Sequence, residues 1–236
     1  MPENNKRALI TGASAGFGRA VALALAERDW ELIIVARGAD RLETVRSAAR
    51  ALGIAGDVAA IAGDVADPAV RERIAAAVGD GGLDLVLNNA SALGPSPLPT
   101  LDRYPLDELA TVFATNVIAP LAILQLAWPA LRASDGVVVD VSSDAAIGGY
   151  EGWGGYGASK AALDQLTNVL AAENPDLRVY SFDPGDMRTD MHQAAFPGED
   201  ISDRPEPETV VPALLHLLET RPPSGRYIAS EVPVAS

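Results

Sequence analysis

The sequence predicts an α/β protein built on a single doubly wound parallel sheet of about seven strands, with helices on both faces. Short apolar runs alternate with longer segments rich in Ala, Leu, Arg and Glu along the chain, and a glycine-rich turn follows the first apolar run. The 236 residues, 48% of them hydrophobic, suit one α/β domain with a substantial core. We therefore expect one domain over residues 1–236.

Strands are predicted where the short runs carry few charges, as strands buried on both faces should. In chain order they are Arg7–Ile10, Glu31–Ala36, Val58–Ala62, Leu83–Leu87, Gly136–Val141, Arg178–Phe182 and Arg226–Ala229. Helices are predicted in the longer segments between them. In the same order they are Phe17–Arg28, Ala39–Leu52, Pro68–Val78, Leu106–Leu131, Tyr156–Glu173 and Pro207–Thr220. The last would open on a proline, which a first helical turn tolerates.

The segment 186–207 differs from its surroundings. It is rich in Pro, Asp, Glu and Gly, with Met191, His192 and Phe196 interspersed. Because it follows the sixth predicted strand, it predicts a mobile lid over a substrate. An ordinary solvated connection is the alternative.

Charge and composition argue against several function classes. A net charge of -14 repels phosphate backbones and anionic lipid headgroups, so neither nucleic acid nor a membrane is expected as a partner. The chain has no cysteine, and His192 and His216 lie far apart, so no metal site is expected. The stretch from Met1 to Arg7 is polar, and no apolar run is expected to span a membrane. We expect a cytoplasmic protein.

The first predicted strand runs directly into Thr11-Gly12-Ala13-Ser14-Ala15-Gly16-Phe17-Gly18. Glycines there let the backbone turn tightly and approach a pyrophosphate, which would sit on the amides and positive dipole end of the next helix. The spacing alone recurs by chance. Its position between a strand and a helix indicates a Rossmann-type dinucleotide site.

Tyr156 and Lys160 form a candidate catalytic pair. Residues four apart share one face of a helix, and Lys160 is one of only two lysines beside sixteen arginines. We expect its ammonium group to lie over the phenol oxygen and lower the pKa of Tyr156, giving a general acid/base usable near neutral pH. Accidental spacing is the alternative.

Together these motifs resemble the short-chain dehydrogenase/reductase family in its single-domain form, from Thr11 to about Ile228. The glycines reproduce the family's Gly-x-x-x-Gly-x-Gly pattern, and Asn88-Asn89-Ala90 its turn after the fourth strand. Further matches follow in the family's order. They are Asn116, Ser143 thirteen residues before Tyr156, the pair Tyr156 and Lys160, and Pro184-Gly185 with Thr189.

The resemblance implies hydride transfer between a nicotinamide and a carbonyl carbon. Ser143 and Tyr156 would donate to the carbonyl oxygen, and Tyr156 would deliver the proton. Lys160 would also bind the nicotinamide ribose, and Asn116 would support a water that replaces the proton. The residues alone leave other roles open: a strand-end cap for Ser143 and a locally satisfied helix residue for Asn116.

Cofactor preference is predicted at the end of the second strand. Ala36 stands where an NAD enzyme typically has an acid, and the following Arg37 suits a 2′-phosphate, so NADP(H) is expected in preference to NAD(H). Ala15 stands where NADP-preferring members often carry a second basic residue. Asp64 and Val65 resemble the adenine-binding pair, with a turn role for Asp64 as the alternative. The predicted cofactor contacts are Gly12, Ser14, Ala15, Gly16, Phe17, Gly18, Arg37, Asp64, Val65, Asn89, Ala90, Tyr156, Lys160, Pro184, Gly185, Met187 and Thr189.

Apolar and aromatic residues in the loops around the expected pocket predict a ketone or diketone of apolar or aromatic character, interconverted with its alcohol. The predicted substrate contacts are Leu93, Ser143, Tyr150, Trp153 and Met191. Short runs such as Gly152-Trp153 resemble the sepiapterin- and benzil-reductase-like members. Ser91 departs from the glycine usual after Asn-Asn-Ala. Asp144, directly after Ser143, would favour hydroxyl- or amine-bearing substrates if it points inward.

Other functions stay open. One alternative is a catalytically silent sensor or scaffold that binds NADP(H). Among enzymes, the alternatives are a sepiapterin-type reductase and an imine or enone reductase. The resemblance also implies a homodimer or homotetramer. Dimers would form through the helices predicted at Leu106–Leu131 and Tyr156–Glu173, and tetramers through the C-terminal strand region.

Overall fold

The computed structural model describes residues 6–52 and 57–233, so part of the polar stretch at the start of the chain lies outside it. Its strands are β1 (Arg7–Thr11), β2 (Glu31–Ala36), β3 (Val58–Ala62), β4 (Leu85–Asn88), β5 (Val137–Val141), β6 (Arg178–Asp183) and β7 (Gly225–Ile228). They form a seven-stranded sheet in the order β3-β2-β1-β4-β5-β6-β7. The pairs β1–β2, β1–β4, β2–β3 and β6–β7 are parallel. The predicted fold class is confirmed.

Eight α-helices occur among the described residues. They are α1 (Gly16–Ala26), α2 (Ala39–Ala51), α3 (Pro68–Val78), α4 (Leu106–Phe113), α5 (Ala119–Ala133), α6 (Gly154–Glu173), α7 (Asp190–Ala195) and α8 (Val211–Thr220). The predicted helix over Leu106–Leu131 is interrupted by a π-helical turn at Ala114–Ile118. The helix predicted from Pro207 begins as a 3-10 turn, and its α-helical part starts at Val211. The short helix α7 was not predicted and lies inside the segment 186–207.

The described residues form two compact units. One comprises the residues up to Ala90 together with Ala122–Val139, and the other comprises Ser91–Leu121 together with the residues from Asp140 onward. The expectation of a single domain over 1–236 stays a prediction.

The first unit is built on the apolar strands β1 to β4. Strand β1 is buried from its second residue onward, and β2 likewise, since their Val, Ile and Leu side chains suit a sheet covered on both faces. Helix α3 begins where the sequence offers a start signal, because the Asp67 side chain accepts from the amide of Ala69 and Pro68 stands in the first turn. Strand β1 pairs with β2 on one side and β4 on the other, which is where the strand order reverses and where doubly wound sheets bind ligands.

The second unit contains the pair β6–β7 and the long helix α6. Tyr180 and Phe182 of β6 are fully buried. Within this unit Thr167 of α6 donates to Asp140 Oδ2 at 2.8 Å, and both residues are buried. This buried polar contact fixes the helix beside the end of β5, which matters for the residues described next.

One helix is long and apolar enough to cross a membrane on length and composition alone. It covers the 28 residues Leu106–Ala133 and contains an 18-residue stretch with a mean hydropathy of 1.8. The sequence expectation that no apolar run reaches this length was therefore wrong, because the segment Leu106–Leu131, itself predicted as one helix, carries only two charged residues, both near its start. Core helices of soluble proteins pass the same test, and Asn116 in this turn is fully buried with hydrogen bonds to protein atoms.

Candidate active site

The glycine loop of the first unit leaves no room for a side chain at Gly12. Its φ is +67°, and a Cβ there would lie 2.7 Å from Asn89 Nδ2 and 2.9 Å from the amide nitrogen of Ala90. Glycine adopts this left-handed conformation without steric cost and lets the backbone approach so closely. The loop is therefore shaped as the predicted dinucleotide turn requires.

The predicted Asn-Asn-Ala turn braces this loop. Asn89 Nδ2 donates to the carbonyl oxygens of Thr11 at 3.0 Å and Gly12 at 3.2 Å. The Thr11 hydroxyl oxygen accepts the amides of Asn89 and Ala90, each at 3.0 Å. Asn89 and Ala90 thus shape the loop whatever their contacts with a cofactor.

Helix α1 starts without a side-chain cap. Ala15 occupies the N-cap position and makes no side-chain hydrogen bond, and the first turn contains no acidic residue. The backbone amides of the first turn and the positive end of the helix dipole fit an anionic pyrophosphate. The Phe17 side chain is 3% exposed and belongs to the core, which leaves only its backbone for the predicted cofactor contact.

The predicted adenosine contacts lie after β2 and β3. Ala36 is buried at the end of β2, and Arg37 directly after it is exposed. Asp64 Oδ1 accepts the amide of Ala66 at 2.9 Å, so Asp64 serves the turn that was its alternative role. Val65 is buried, and contacts of this pair with adenine stay a prediction.

In the second unit, Tyr156 lies in the first turn of α6 and is 9% exposed. The 3-10 turn Asp144–Ala146 reaches α6 closely at Gly157, where a Cβ would lie 2.6 Å from the carbonyl oxygen of Ala145. This close approach carries Ser143, the residue before the 3-10 turn, to the phenol. Ser143 hydrogen-bonds the Tyr156 side chain and also accepts the amide of Ala145 at 3.2 Å. The cap role and the predicted contact with Tyr156 are therefore both present.

Lys160 is buried beside Tyr156. Its side chain is 1% exposed, its Nζ donates to the carbonyl oxygen of Val141 at 2.6 Å, and Nζ lies 5.6 Å from the centre of the Tyr156 ring. Burial lowers the pKa of Lys160 to about 8, against the opposing effect of the charges on Asp140 and Asp164. The predicted neighbourhood of the two side chains is present.

The predicted direction of the Tyr156 shift was wrong. Burial raises the pKa of Tyr156 to about 12, while hydrogen bonds between its side chain and those of Ser143 and Ser91 act in the opposite direction. The charges of Asp183 and Asp144 add to the rise. Removal of the phenolate from water therefore outweighs the stabilisation that the sequence argument assigned to Lys160.

Asn116 is fully satisfied by protein atoms. Its Oδ1 accepts the amide of Ala92 at 2.7 Å and the hydroxyl of Ser91 at 3.3 Å. Its Nδ2 donates to the carbonyl oxygen of Ala92 and to the hydroxyl oxygen of Ser159, both at 2.9 Å. Ser159 in turn donates to the carbonyl oxygen of Tyr156 at 2.6 Å. Asn116 thus joins the loop after β4 to α6, and its support of a water stays a prediction.

Ser91 and Ser159 are two polar residues of this site that the sequence analysis did not predict as site residues. Ser91 had been noted only as a departure from the family's glycine, and its hydrogen bonds to Tyr156 and Asn116 give that departure a role. Ser159 stands three residues after Tyr156, so its helical spacing was the available signal.

The predicted nicotinamide turn follows β6. The amide of Gly185 donates to Asp183 Oδ1 at 3.0 Å, beside Pro184. Thr189 caps α7, because its hydroxyl oxygen accepts the amide of His192 at 3.1 Å. Thr189 therefore fixes the start of α7, and its contact with a carboxamide, like that of Met187, stays a prediction.

An apolar cluster surrounds Tyr156. It contains the predicted contacts Leu93, Trp153 and Met191, together with Leu98, Ala145, Ala194, Ala195 and Phe196. The Trp153 ring meets that of Tyr156 edge-on with the centres 5.7 Å apart. Tyr150 is not among these residues. It is 50% exposed. Its pKa is raised, chiefly by a hydrogen bond to Asp144, and the negative charges of Asp144 and Asp183 add to the rise.

Comparisons with known proteins find the same group of oxidoreductases by sequence and by structure. The family model described as short chain dehydrogenase matches residues 6–200. The mouse protein named sepiapterin reductase is 36% identical over 199 residues, covering 79% of this chain and 76% of that protein. Serine 3-dehydrogenase of Agrobacterium fabrum is 37% identical over 188 residues, covering 78% and 72%. A short chain dehydrogenase of Shigella flexneri complexed with NADP superposes with a TM-score of 0.88 at 30% identity, covering 96% and 98%.

Proposed function

Because the chain belongs to the short-chain dehydrogenase family of oxidoreductases, we propose that it interconverts an apolar or aromatic ketone or diketone with its alcohol. We propose NADP(H), in preference to NAD(H), as its cofactor. One observation carries the proposal. In the second unit a buried phenol, a serine hydroxyl and a buried amine come together at Tyr156, Ser143 and Lys160. A scaffold has no use for an amine buried at a desolvation cost.

The residues present fit a dinucleotide, which supplies or accepts the hydride when bound. The narrow turn at Gly12 and the uncapped start of α1 suit a pyrophosphate. Lys160 donates one of its three hydrogens to Val141, and a further hydrogen would suit the hydroxyls of a ribose. Exposed Arg37 suits a 2′-phosphate, and a Shigella flexneri relative was crystallised with NADP.

The chemistry of the side chains favours carbonyl reduction. Negative charge grows on the carbonyl oxygen in this direction, and the hydroxyls of Ser143 and Tyr156 would stabilise it. With a pKa of about 12 the phenol is protonated at neutral pH, so Tyr156 carries the proton that the more basic alkoxide would take up. The ammonium group of Lys160 then stabilises the phenolate left behind.

The apolar cluster supports the choice of substrate. Leu93, Trp153, Met191 and Phe196 surround Tyr156 with carbon surface and aromatic edges. The mouse relative is named for a pterin and the Agrobacterium relative for serine, so relatives at this level of identity differ in substrate. The carbon-rich surroundings of Tyr156 favour an aromatic carbonyl compound over a small charged one.

The function is tested by following NADPH absorbance with a panel of aromatic ketones and diketones, imines and enones. Tyr156→Phe is expected to lower kcat by about 10²- to 10⁴-fold, because it removes the proton donor and keeps the ring. Tyr227→Phe is the control, since that hydroxyl donates to the carbonyl oxygen of Pro223 at 2.6 Å. Turnover that survives in Tyr156→Phe would contradict the role of Tyr156, and NADPH binding without turnover of any compound would favour the silent sensor.

Cofactor preference has its own test. Arg37→Gln is expected to lower the ratio of kcat/KM for NADPH over NADH by about 10- to 100-fold, because a hydrogen bond to a charged group contributes about 1.5–3 kcal/mol. Arg46→Gln, an arginine of α2 paired with Glu43, is the control. An unchanged ratio in Arg37→Gln would contradict the predicted phosphate contact.

A further inference from the structure

One arginine of β7 joins three other elements of the second unit. Arg226 lies opposite Ser181 in the pairing of β6 with β7, and its side chain is 22% exposed. Its Nη1 donates to Ser142 Oγ at 2.7 Å and to Asp164 Oδ2 at 3.0 Å. Its Nη2 donates to the carbonyl oxygen of Ser143 at 3.1 Å and to Asp183 Oδ2 at 2.7 Å. Four hydrogen bonds to the end of β5, the end of β6 and helix α6 leave this guanidinium little freedom.

The bond from Arg226 to the carbonyl oxygen of Ser143 concerns the residue whose hydroxyl would contact the substrate. Arg226 holds the backbone carbonyl of Ser143, while the Ser143 side chain hydrogen-bonds Tyr156. The preceding Ser142 is buried, and its hydroxyl oxygen accepts from Nη1 of the same guanidinium at 2.7 Å. Arg226 therefore holds the backbone from which the Ser143 side chain projects, while the hydroxyl itself donates to Asp144 Oδ1 at 3.0 Å.

The bond from Arg226 to Asp183 concerns the turn that the family resemblance assigns to the nicotinamide. Asp183 is 3% exposed and uses its two oxygens differently: Oδ2 accepts from Arg226, and Oδ1 accepts the amide of Gly185 at 3.0 Å. Burial raises the pKa of Asp183, and the Gly185 amide and Arg226 act against that rise. Arg226 thus fixes the carboxylate on which the Pro184-Gly185 turn depends.

We propose that Arg226 is a positioning residue that sets the Ser143 backbone and the Pro184-Gly185 turn relative to each other through one planar group. The inference rests on the proposed function, because only a reductase needs its carbonyl donor and its nicotinamide turn in register. An arginine suits the task because its two Nη atoms present donors in a fixed plane, whereas lysine offers a single charged centre on a flexible stem. Displacement of either partner by about 1 Å would cost about 10²-fold in rate.

A simpler role would be neutralisation of the carboxylates of Asp164 and Asp183. That role needs a positive charge and no particular fork, so Arg226→Lys separates the two explanations. Arg226→Met removes both charge and fork. Arg178→Met is the matched control, because Arg178 is also a partly buried arginine of this sheet and donates to a backbone carbonyl, that of Arg221, at 3.2 Å.

The first readout needs neither cofactor nor turnover. Amide hydrogen exchange is measured on the cofactor-free protein over residues 142–146 and 183–187. In Arg226→Lys both segments are expected to exchange faster, together and by a similar factor, while Arg178→Met leaves both at the wild-type rate. If Arg226→Lys keeps wild-type exchange in both segments, or only one segment responds, the proposal is overturned. Because Arg226→Met removes the positive partner of Asp164 and Asp183 and is expected to fold less well, the conclusion rests on Arg226→Lys.

The second readout is kinetic. At a temperature well below unfolding, Arg226→Lys is expected to lower kcat about 10²-fold and to raise the KM for NADPH, with the pH profile unchanged in shape. Wild-type kcat in Arg226→Lys would overturn the positioning role. If the wild-type protein turns over no carbonyl compound, the proposed function fails, and the exchange measurement still decides whether Arg226 couples the two segments.

Discussion

Ser91 stands between two residues of the predicted catalytic set. Its hydroxyl hydrogen-bonds the Tyr156 side chain and donates to Asn116 Oδ1 at 3.3 Å. The bond to Tyr156 lowers the pKa of the phenol, against the larger effect of burial. A family glycine at this position would leave Tyr156 without that partner, so this chain holds its phenol differently.

Ser91→Ala is expected to raise the pKa of Tyr156 further. Alcohol oxidation needs the phenolate, so its kcat/KM at neutral pH should fall about tenfold and its rise with pH should move to more alkaline pH, since a hydrogen bond to a charged group is lost. Carbonyl reduction, which starts from the phenol, should change less. The measurement is a pH profile of both directions beside Ser47→Ala, an exposed serine of α2. Equal losses in the two directions would show that Ser91 acts on the fold and not on Tyr156.

Lys160 offers an isolated titration, because Lys6 is the only other lysine. In Lys6→Arg protein labelled with ¹³C at lysine Cε, the remaining signal is expected to titrate at a pKa of about 8, since burial disfavours the ammonium form. The experiment is an NMR pH titration without cofactor. A midpoint near the ordinary lysine value would mean that the amine stays hydrated.

The lowered pKa of Lys160 also gives a stability prediction. Unfolded chains keep this proton up to the ordinary lysine value of 10.5, whereas the folded protein loses it near 8, so in this window the unfolded state binds more protons and the free energy of unfolding rises with pH. Lys160→Met lacks this gain. The stability difference between variant and wild type is expected to change by about 3 kcal/mol between pH 7 and pH 10.5, as measured by urea unfolding. A constant difference would contradict a buried charged amine.

The sequence predicted which residues form the candidate active site better than it predicted the pKa values of their side chains. Spacing and the family resemblance named Tyr156, Ser143 and Lys160, and the structure brings these three together. The direction of the Tyr156 shift was missed, because burial depends on how Trp153, Met191 and Phe196 pack around the ring, and helical spacing carries no information about that. Ser91 was visible as a departure, but its partners come from a distant part of the chain.

At the scale of elements, α7 connects the predicted lid to Tyr156. This six-residue helix starts at the Thr189 cap and carries Met191 and Ala195 to the apolar cluster, with Phe196 directly after it. So short a helix has little stability of its own, and the cap is a sizeable part of it. The stretch 186–207 therefore contains an ordered helix, and its motion as a lid stays a prediction.

Thr189→Ala is expected to destabilise α7 by about 1 kcal/mol. Amide exchange over residues 190–195 should become about fivefold faster, and the KM for an aromatic ketone should rise more than kcat falls, because the cluster around Tyr156 loosens. Thr189→Ser keeps the capping oxygen and should behave as wild type in both measurements. A rise confined to the KM for NADPH would instead assign Thr189 mainly to the cofactor.

Strand positions followed from sequence because fully buried strands read as short apolar runs, and β2 and β3 match their predicted bounds. Helix irregularities did not follow. The π-helical turn at Ala114–Ile118 contains no glycine or proline that would mark it, and the partners of Asn116 in that turn are long-range. The start of α8 at Val211 was missed because the proline at position 207 opens a 3-10 turn instead of the helix.

At the scale of the whole molecule, the strand order could not be derived from the chain. Each buried strand has the same apolar character, so nothing in β4 alone says that it pairs with β1. The family resemblance supplied the class of architecture, and the described sheet order agrees with it. Absence of nucleic-acid and membrane partners, inferred from the net charge of -14, stays a prediction.

Assembly into a dimer or tetramer is expected in solution. The helices that the family commonly uses for dimers carry exposed apolar side chains, among them Leu106 at 77%, Ile118 at 58% and Val169 at 41%. Sedimentation at several concentrations should show a dimer or tetramer, and Val169→Glu should shift it toward the monomer, because a charge in an apolar interface is costly. Leu52→Glu, an equally exposed leucine at the end of α2, should leave the assembly unchanged. A monomer at all wild-type concentrations would contradict this expectation.

The scarcity of lysine has a practical consequence. The ε-amine of Lys160 is closed off from the surroundings, whereas Lys6 is exposed. Acylating dyes and activated resins that target lysine side chains should therefore attach at Lys6 and spare the reaction centre. As far as lysine side chains are concerned, covalent immobilisation would then use Lys6 as the one point of attachment and leave Tyr156 and its surroundings unmodified.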